Sequence, residues 1–543
     1  MLLAVATGCT GGGPAPADRG AGAEPVPGAR RGGTLTILQR DDVGHLDPQR
    51  QYLTHANAID QLMVRTLTML KNDPRTGRQV LVGDLATDAG TDVHGDGRTW
   101  RFTLRTGLRY ADGSAVTAAD VAYGVARSYT PELSDGPHYL RDWLAGGAHY
   151  RGPYHGGRRT PPGVTVSGRT VTFHLAAPHP DFGYAASLGT TAPVPARTDP
   201  GLAHADRYDR APPATGPYRV ARHDGGTVVL TRNRYWDPRT DPVRHDYPDR
   251  IVLRTGADPG TQTERLIADS DRDAVSLDGV PPELSDRVLG DRALRSRAIV
   301  GFWPFVTYLS INTRRVPDVA VRRALNYAVD KAGYLDAIGG PPRGEVATTL
   351  LSPTVRGFRR YDAYPSPNHR GAAGKARQLL DGAHPTLRYA YPDTVSGRAG
   401  ARAVSGSLRR AGFRVRPTPL DPASFYPAVS RPDNRYDLYP VSWGADWPTG
   451  TTVLPTLFGG TAGTGWSLLQ VPALTRQLRT VSAEPTDRAA ADWARLDRRI
   501  MRRYAPCVPL IYLKNLSLAG SRVHGVFQSG TAGSPLFYDA WLG

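Results

Sequence analysis

Cysteine, methionine and lysine are scarce in this chain of 543 residues: there are 2 cysteines and 4 methionines, and lysine occurs only at Lys71, Lys331, Lys375 and Lys514. Two cysteines cannot build the disulfide framework of a stapled small domain. Long apolar runs are missing too, with no stretch of roughly eighteen apolar residues to form a membrane-spanning helix. Because lysine is so rare, the formal charge of +17 is an arginine charge. Those arginines are interleaved with 50 acids and form no stripe studded with aromatics, which argues against nucleic-acid binding. A basic surface of this kind suits anionic lipid headgroups or cell wall.

Catalytic signatures are equally thin. The 14 histidines contain no His-Glu-x-x-His, and no Cys-x-x-Cys occurs, so no metal and no cofactor is expected. "AASLG" around Ser187 lacks the leading glycine of a nucleophile elbow. "GAAGKA" (371–376) lacks P-loop spacing and the following Ser or Thr, and reads as the start of a helix. The expectation is a protein that is not an enzyme; a secreted hydrolase with a scattered catalytic set is the alternative from a different class.

What is present is ordinary globular composition, with 40% hydrophobic and 22% charged residues. The length exceeds one ordinary core, so two or more lobes are expected. Cys9 closes the short apolar segment "MLLAVATGC", and a Gly/Ala/Pro tract too poor in large apolar groups to fold runs on to residue 32. Two readings stand for Cys9: the lipidated residue of a bacterial lipoprotein signal, or a chance cysteine in an unstructured start. Cys507, in "YAPCVPLIYL", reads as a buried small hydrophobe.

Strand and helix patterns are mixed throughout. "GGTLTIL" (32–38) reads as a first strand, followed by the polar loop "DDVGHLDP". Trp100, Phe102 and Leu104 alternate with Arg101, Thr103 and Arg105, the period of a half-buried strand. Thr117 and Asp120 have capping-box spacing ahead of Ala118, Val121, Ala122 and Val125 on one helical face. Hairpins are expected around Ser167-Gly168 and at Asp224 to Gly226. Pro317-Asp318 opens a helix with Val321, Ala324, Leu325, Ala328 and Val329 on one stripe. Alternation without a repeat period predicts α/β or α+β lobes.

Four blocks, in order, carry a resemblance: "LVGDLATDAGTDVHGDGRTWRFTLRTGLRYADGSAVTAADVAYGVARS", "ATGPYRVARHDGGTVVLTRNRYWDP", "TYLSINTRRVPDVAVRRALNYAVDK" and "YDLYPVSWGADWP". Together they resemble the extracellular solute-binding proteins of family 5, which serve oligopeptide, dipeptide and nickel ABC importers. The fold that the resemblance implies is α/β, two lobes hinged by two crossing segments, with an additional third domain. The divisions it implies are a signal remnant and tether at 1–32, lobe I at 33–66, 197–300 and 509–543, the additional domain at 67–196 and lobe II at 301–508. The partners implied are a peptide or small-molecule ligand and ABC permease subunits. The membrane would be reached through a lipid on Cys9, placing a monomer on the outer face of the cell membrane.

"SWGADWP" (442–448) sets Asp446 between Trp443 and Trp447. In the family this segment supplies an aspartate for a peptide's α-ammonium, and Asp446 is the matching position. The chemistry suits a receptor for varied peptides, since their charged ends and main chain are constant while the side chains change. An ammonium on a carboxylate in a dry cleft is worth about 1.5 to 3 kcal/mol. Trp443, Gly444 and Trp447 would wall that site, with about 1 kcal/mol of cation–π attraction from the indoles. The competing reading makes Asp446 a turn residue capping backbone amides and the tryptophans core. Val43, Gly44 and His45 are implied at the ligand by the loop they share; for His45 a solvated imidazole is the other reading. Tyr308 could sit in core or cleft, and Asn312 reads as a structural hydrogen-bonder. No spacing selects a group for a peptide C-terminus. Arginine-rich, proline-rich sequence suggests an actinobacterial source, where family members also accompany specialised-metabolite genes, including those for clavulanic acid. A non-peptide cationic metabolite, an oligosaccharide or a chelated metal is therefore the alternative ligand.

Overall fold

The computed structural model describes residues 22–73, 79–133, 135–156, 158–460 and 465–543, so the question of Cys9 lies outside the described residues. Within them the chain builds sheets of five, six and four strands, each with its own apolar cluster. The fold is α/β.

In the five-stranded sheet, Thr34–Leu38 lies between Arg250–Arg254 and Ala274–Ser276 and is parallel to both. Leu35 and Ile37 are fully buried while Thr34 is exposed, as the pleat demands. Tyr218–Asp224 and Thr227–Arg232 form the predicted hairpin, whose turn uses Gly225 and Gly226 at positive φ. The final residues return to this core through Phe537, Tyr538 and Leu542.

The four-stranded sheet pairs Thr99–Thr103 with Thr170–His174, and the latter turns back onto Val164–Ser167. Trp100, Phe102 and Leu104 point inward, as their spacing predicts. The helix Ala118–Arg127 packs against it behind a complete capping box: Asp120 N donates to Thr117 Oγ1, and Thr117 N donates to Asp120 Oδ2. That helix is buried on more than the predicted face, since Tyr123, Gly124 and Ala126 are enclosed as well.

Ala298–Ile311 and Cys507–Leu518 are the two long strands of the six-stranded sheet, antiparallel to each other. Beyond one end of the pair Ala519 bridges Val275 of the five-stranded sheet; at the other, Ser310 faces Cys507 deep in the six-stranded one. Residues of Ala298–Ile311 alternate between two cores, with Val306 and Tyr308 toward one and Leu309 and Ile311 toward the other. The pairing with Cys507–Leu518 breaks over Trp303, Pro304 and Phe305, a place where a proline's missing N–H costs no pairing to that strand. The helix Val319–Ala328 begins at Asp318, whose carboxylate accepts from Ala320 N, and "GAAGKA" leads into the helix Ala373–Leu380. Ser187 donates its hydroxyl to Tyr184 O, and Cys507 is a free, fully buried thiol.

Candidate functional site

A cavity of about 260 Å³ lies where the three sheets' loops meet. The five-stranded side contributes the helix Thr54–Met63, with Asn57, Asp60 and Gln61, and the loop ahead of it, with Pro48, Gln51 and Tyr52. The opposite wall comes from the strand Leu438–Gly444 and the turn after it, with Trp443, Gly444, Ala445 and Asp446. Pro304 and Phe305, from the break in that pairing, close a third side.

Asp446 stands on this wall and is met by two phenols from distant segments of the chain. The Tyr52 hydroxyl donates to Oδ1 at 3.0 Å, and the Tyr139 hydroxyl donates to Oδ2. Its own N–H donates to Thr452 Oγ1, and among the described residues the carboxylate caps no backbone amide. Burial raises the Asp446 carboxyl and the two phenols work against that rise, leaving it pushed up to about 6. No cation pairs with it among the described residues.

The indoles beside it part company. Trp443 is partly buried, lines the cavity, donates Nε1–H to Thr452 O at 2.8 Å and meets Trp466 edge to face. Trp447 corrects the expectation of a second wall: it is fully buried in the core of the four-stranded domain. Its Nε1 donates to Asp181 Oδ2 at 2.7 Å, and its ring packs on Tyr139 and Trp143. Thr449 also donates to Asp181, so this turn is anchored in a domain hundreds of residues upstream. Gly444 faces Phe305 across the ladder, where a Cβ would come within 2.9 Å of the ring.

The other expected residues lie elsewhere. Val43 is core, and Gly44 turns the chain at φ 73° beside it. His45 binds Asp209 through Nδ1 with Nε2 3.6 Å from Asp135, which spends its imidazole on acids of two other segments. Tyr308 is packed near Trp466 in the core of the six-stranded domain, because its place in the pleat faces that core. Asn312 donates to Tyr436 O and accepts from Arg314 N, as a structural residue does. From the loop "DDVGHLDP" only Pro48 reaches the cavity wall, followed by Gln51 and Tyr52.

One basic residue lines the cavity among the described residues, and its charge is already answered. Arg244 donates to Asp84 at 2.9 Å and to Asp241 at 3.2 Å, while Arg65 holds Asp84 at 2.7 Å, making a buried set of two cations and two anions. Burial works against the charge of Asp241, but Arg65 and Arg244 outweigh it and hold that carboxyl down at about 2. Among the described residues no three His, Cys, Asp or Glu side chains are placed to hold a metal ion. Sequence reasoning missed Tyr52, Tyr139 and Asp60. Tyr139 carries no local signal, whereas Asp60 does: it is an acid on the apolar stripe of Ala56, Ile59 and Met63.

The family model for bacterial extracellular solute-binding proteins, family 5, middle region, matches residues 80–465. The chain belongs to this family. The oligopeptide-binding protein OppA of Bacillus subtilis is 23% identical over 478 residues, 82% of each chain. A solved structure described as clavulanic acid biosynthesis oligopeptide binding protein 2 is 32% identical, with a TM-score of 0.88 over 97% of this chain and 98% of its own. The periplasmic binding protein DppA from Helicobacter pylori, solved with the peptide STSA, shares the fold at a TM-score of 0.73 and 18% identity, over 94% of this chain and 98% of its own. Family 5 proteins are extracytoplasmic binding proteins of ABC importers, and these relatives are named for binding, none for catalysis. Among the described residues no helix is long and apolar enough to cross a membrane.

Proposed function

We propose that this family 5 protein is the non-catalytic receptor of an ABC importer that closes on a short peptide and holds its α-ammonium against Asp446. The observation that carries the reading is a carboxyl on the cavity wall with no cation to answer it, flanked by the Trp443 indole. An arriving ammonium supplies the missing charge and returns the raised carboxyl to its ionised state. The names of the relatives, oligopeptide- and peptide-binding proteins, support the same class of ligand. Lobe I at 33–66, 197–300 and 509–543, the additional domain at 67–196 and lobe II at 301–508 would then close by bending the paired strands Ala298–Ile311 and Cys507–Leu518. Work would come from the transporter's ATPase, with this chain contributing only a difference in affinity between open and closed forms. A lipid on Cys9 and a monomeric state complete the proposal, with an actinobacterial cell surface as the setting.

A second reading has one observation in its favour. Among the described residues the lining holds no free cation for a ligand carboxylate, which suits a cationic metabolite as well as a peptide. Calorimetric titration of tri- to nonapeptides tests the first reading: Asp446→Ala is expected to weaken binding about tenfold or more, equal to a lost charge-assisted bond. Unchanged affinity sinks the ammonium role of Asp446. Native mass spectrometry of the purified protein adds the ligand class, since a retained intact peptide supports the receptor and its turnover supports an enzyme.

A further inference from the structure

Asp60 faces the same cavity from the helix Thr54–Met63, opposite the wall that carries Asp446. The residue is 6% exposed, and its Oδ1 is buried with no hydrogen-bond partner among the described residues. The charges that raise its carboxyl further are those of Asp47 and Asp209, and each of these already has its own cations. Arg127 holds Asp47 at 2.7 Å, while His45 and Arg50 attend Asp209. Arg244 is spent on Asp84 and Asp241, and its Nε donates to Gln61 O. Beside Asp60, Gln61 Oε1 is also buried without a partner. An apolar residue would complete the helix's inner face at less cost than an unanswered carboxyl. The two orphan acceptors, on consecutive residues that both line the cavity, fit a group that offers several N–H donors and a positive charge.

We propose that Asp60, with Gln61, is a second cation site in the binding cavity, taking an ammonium or guanidinium of the ligand, so that the protein selects ligands with two cationic groups. This rests on the cavity being the ligand site, and it names the ligand more narrowly: a short peptide with a basic side chain, or a small dication. Burial, aided by Asp47 and Asp209, raises the Asp60 carboxyl well above its usual value, which favours the neutral form in the empty site. Binding of a cation there ionises it and releases a proton.

Calorimetry of the full chain with Ala-Ala-Ala, Ala-Lys-Ala, Ala-Ala-Lys and lysinamide, in two buffers of different ionisation enthalpy, tests the site. The wild type is expected to favour at least one lysine ligand about tenfold over Ala-Ala-Ala, the strength of a charge-assisted contact. Asp60→Asn, a neutral isostere, is expected to erase that preference and the buffer-dependent proton release while leaving Ala-Ala-Ala binding within about twofold. Asp446→Ala weakens Ala-Ala-Ala as well, which separates the two acids. Lysinamide has no peptide bond between amino acids, so Asp60-dependent binding of lysinamide supports the site even if the peptides fail and the peptide reading falls. Equal preference in the wild type and Asp60→Asn, or no Asp60-dependent binding of any of these cations, overturns the proposal; so does a lysine preference without proton release.

Discussion

Two sets of acids lie at or just behind the wall of one cavity, and they differ in what answers their charge. Asp84 and Asp241 are enclosed with Arg65 and Arg244, two cations for two anions, with further donors and acceptors on every side. Asp446 and Asp60 line the cavity from opposite walls and, among the described residues, have phenols, an amide or nothing for company. The first set is finished by the fold. On the proposed function the second is finished by the ligand, so that the location of unanswered charge, more than the number of charges, would mark the site.

Breaking the finished set is expected to have the largest effect. Arg244→Ala leaves two buried carboxylates to Arg65 alone and is expected to cost about 3 to 5 kcal/mol of stability, read as a lowered urea midpoint. An unchanged midpoint would mean that the set is not structural. Next comes the turn that presents Asp446. Trp447→Ala removes a fully buried indole and is expected to cost about 3 kcal/mol, with peptide affinity falling as Asp446 loses its anchored position. The unfinished set should respond in the opposite sense. Asp446→Asn is expected to weaken peptide binding about tenfold while leaving the midpoint unchanged or raised. The sign follows from linkage: a carboxyl whose folded value is raised to about 6 contributes stability that is present below its unfolded value and is lost as pH rises through 6. At neutral pH the wild type has lost that contribution, and the variant has nothing to lose. The smallest effect is the pH profile of binding. Ammonium capture needs the ionised form, so wild-type affinity is expected to fall about fourfold from about pH 7 to about pH 5.5, and the profile of Asp446→Asn is expected to be flatter.

Elements governed by neighbours in the chain were legible before any tertiary contact was known. The Thr117/Asp120 capping box, the glycine hairpin at Gly225-Gly226 and the inward Trp100, Phe102 and Leu104 are all where spacing puts them. The helix Val319–Ala328 likewise starts at Asp318, although Val321 on its stripe is only half-buried. The candidate site was legible in part. Asp446 and Trp443 reach the cavity, whereas Val43, Gly44, His45, Trp447 and Tyr308 serve core or loop. Nothing local distinguishes the two indoles of "SWGADWP", because the partner that claims Trp447 is Asp181, 266 residues away. Tyr52 and Tyr139 reach Asp446 from 394 and 307 residues away, and no periodicity records such a meeting.

By itself the sequence determined the family, the α/β character, the scarcity of catalytic signatures and an acid flanked by indoles, since these rest on composition, short spacings and ordered blocks. Only the tertiary structure decided that one indole faces a cavity and the other a distant domain, that Arg244 is neutralised, and that Asp60 is left without a partner. Whether a charge is answered depends on which groups the fold brings within hydrogen-bonding distance, and that distance is set by packing between segments hundreds of residues apart.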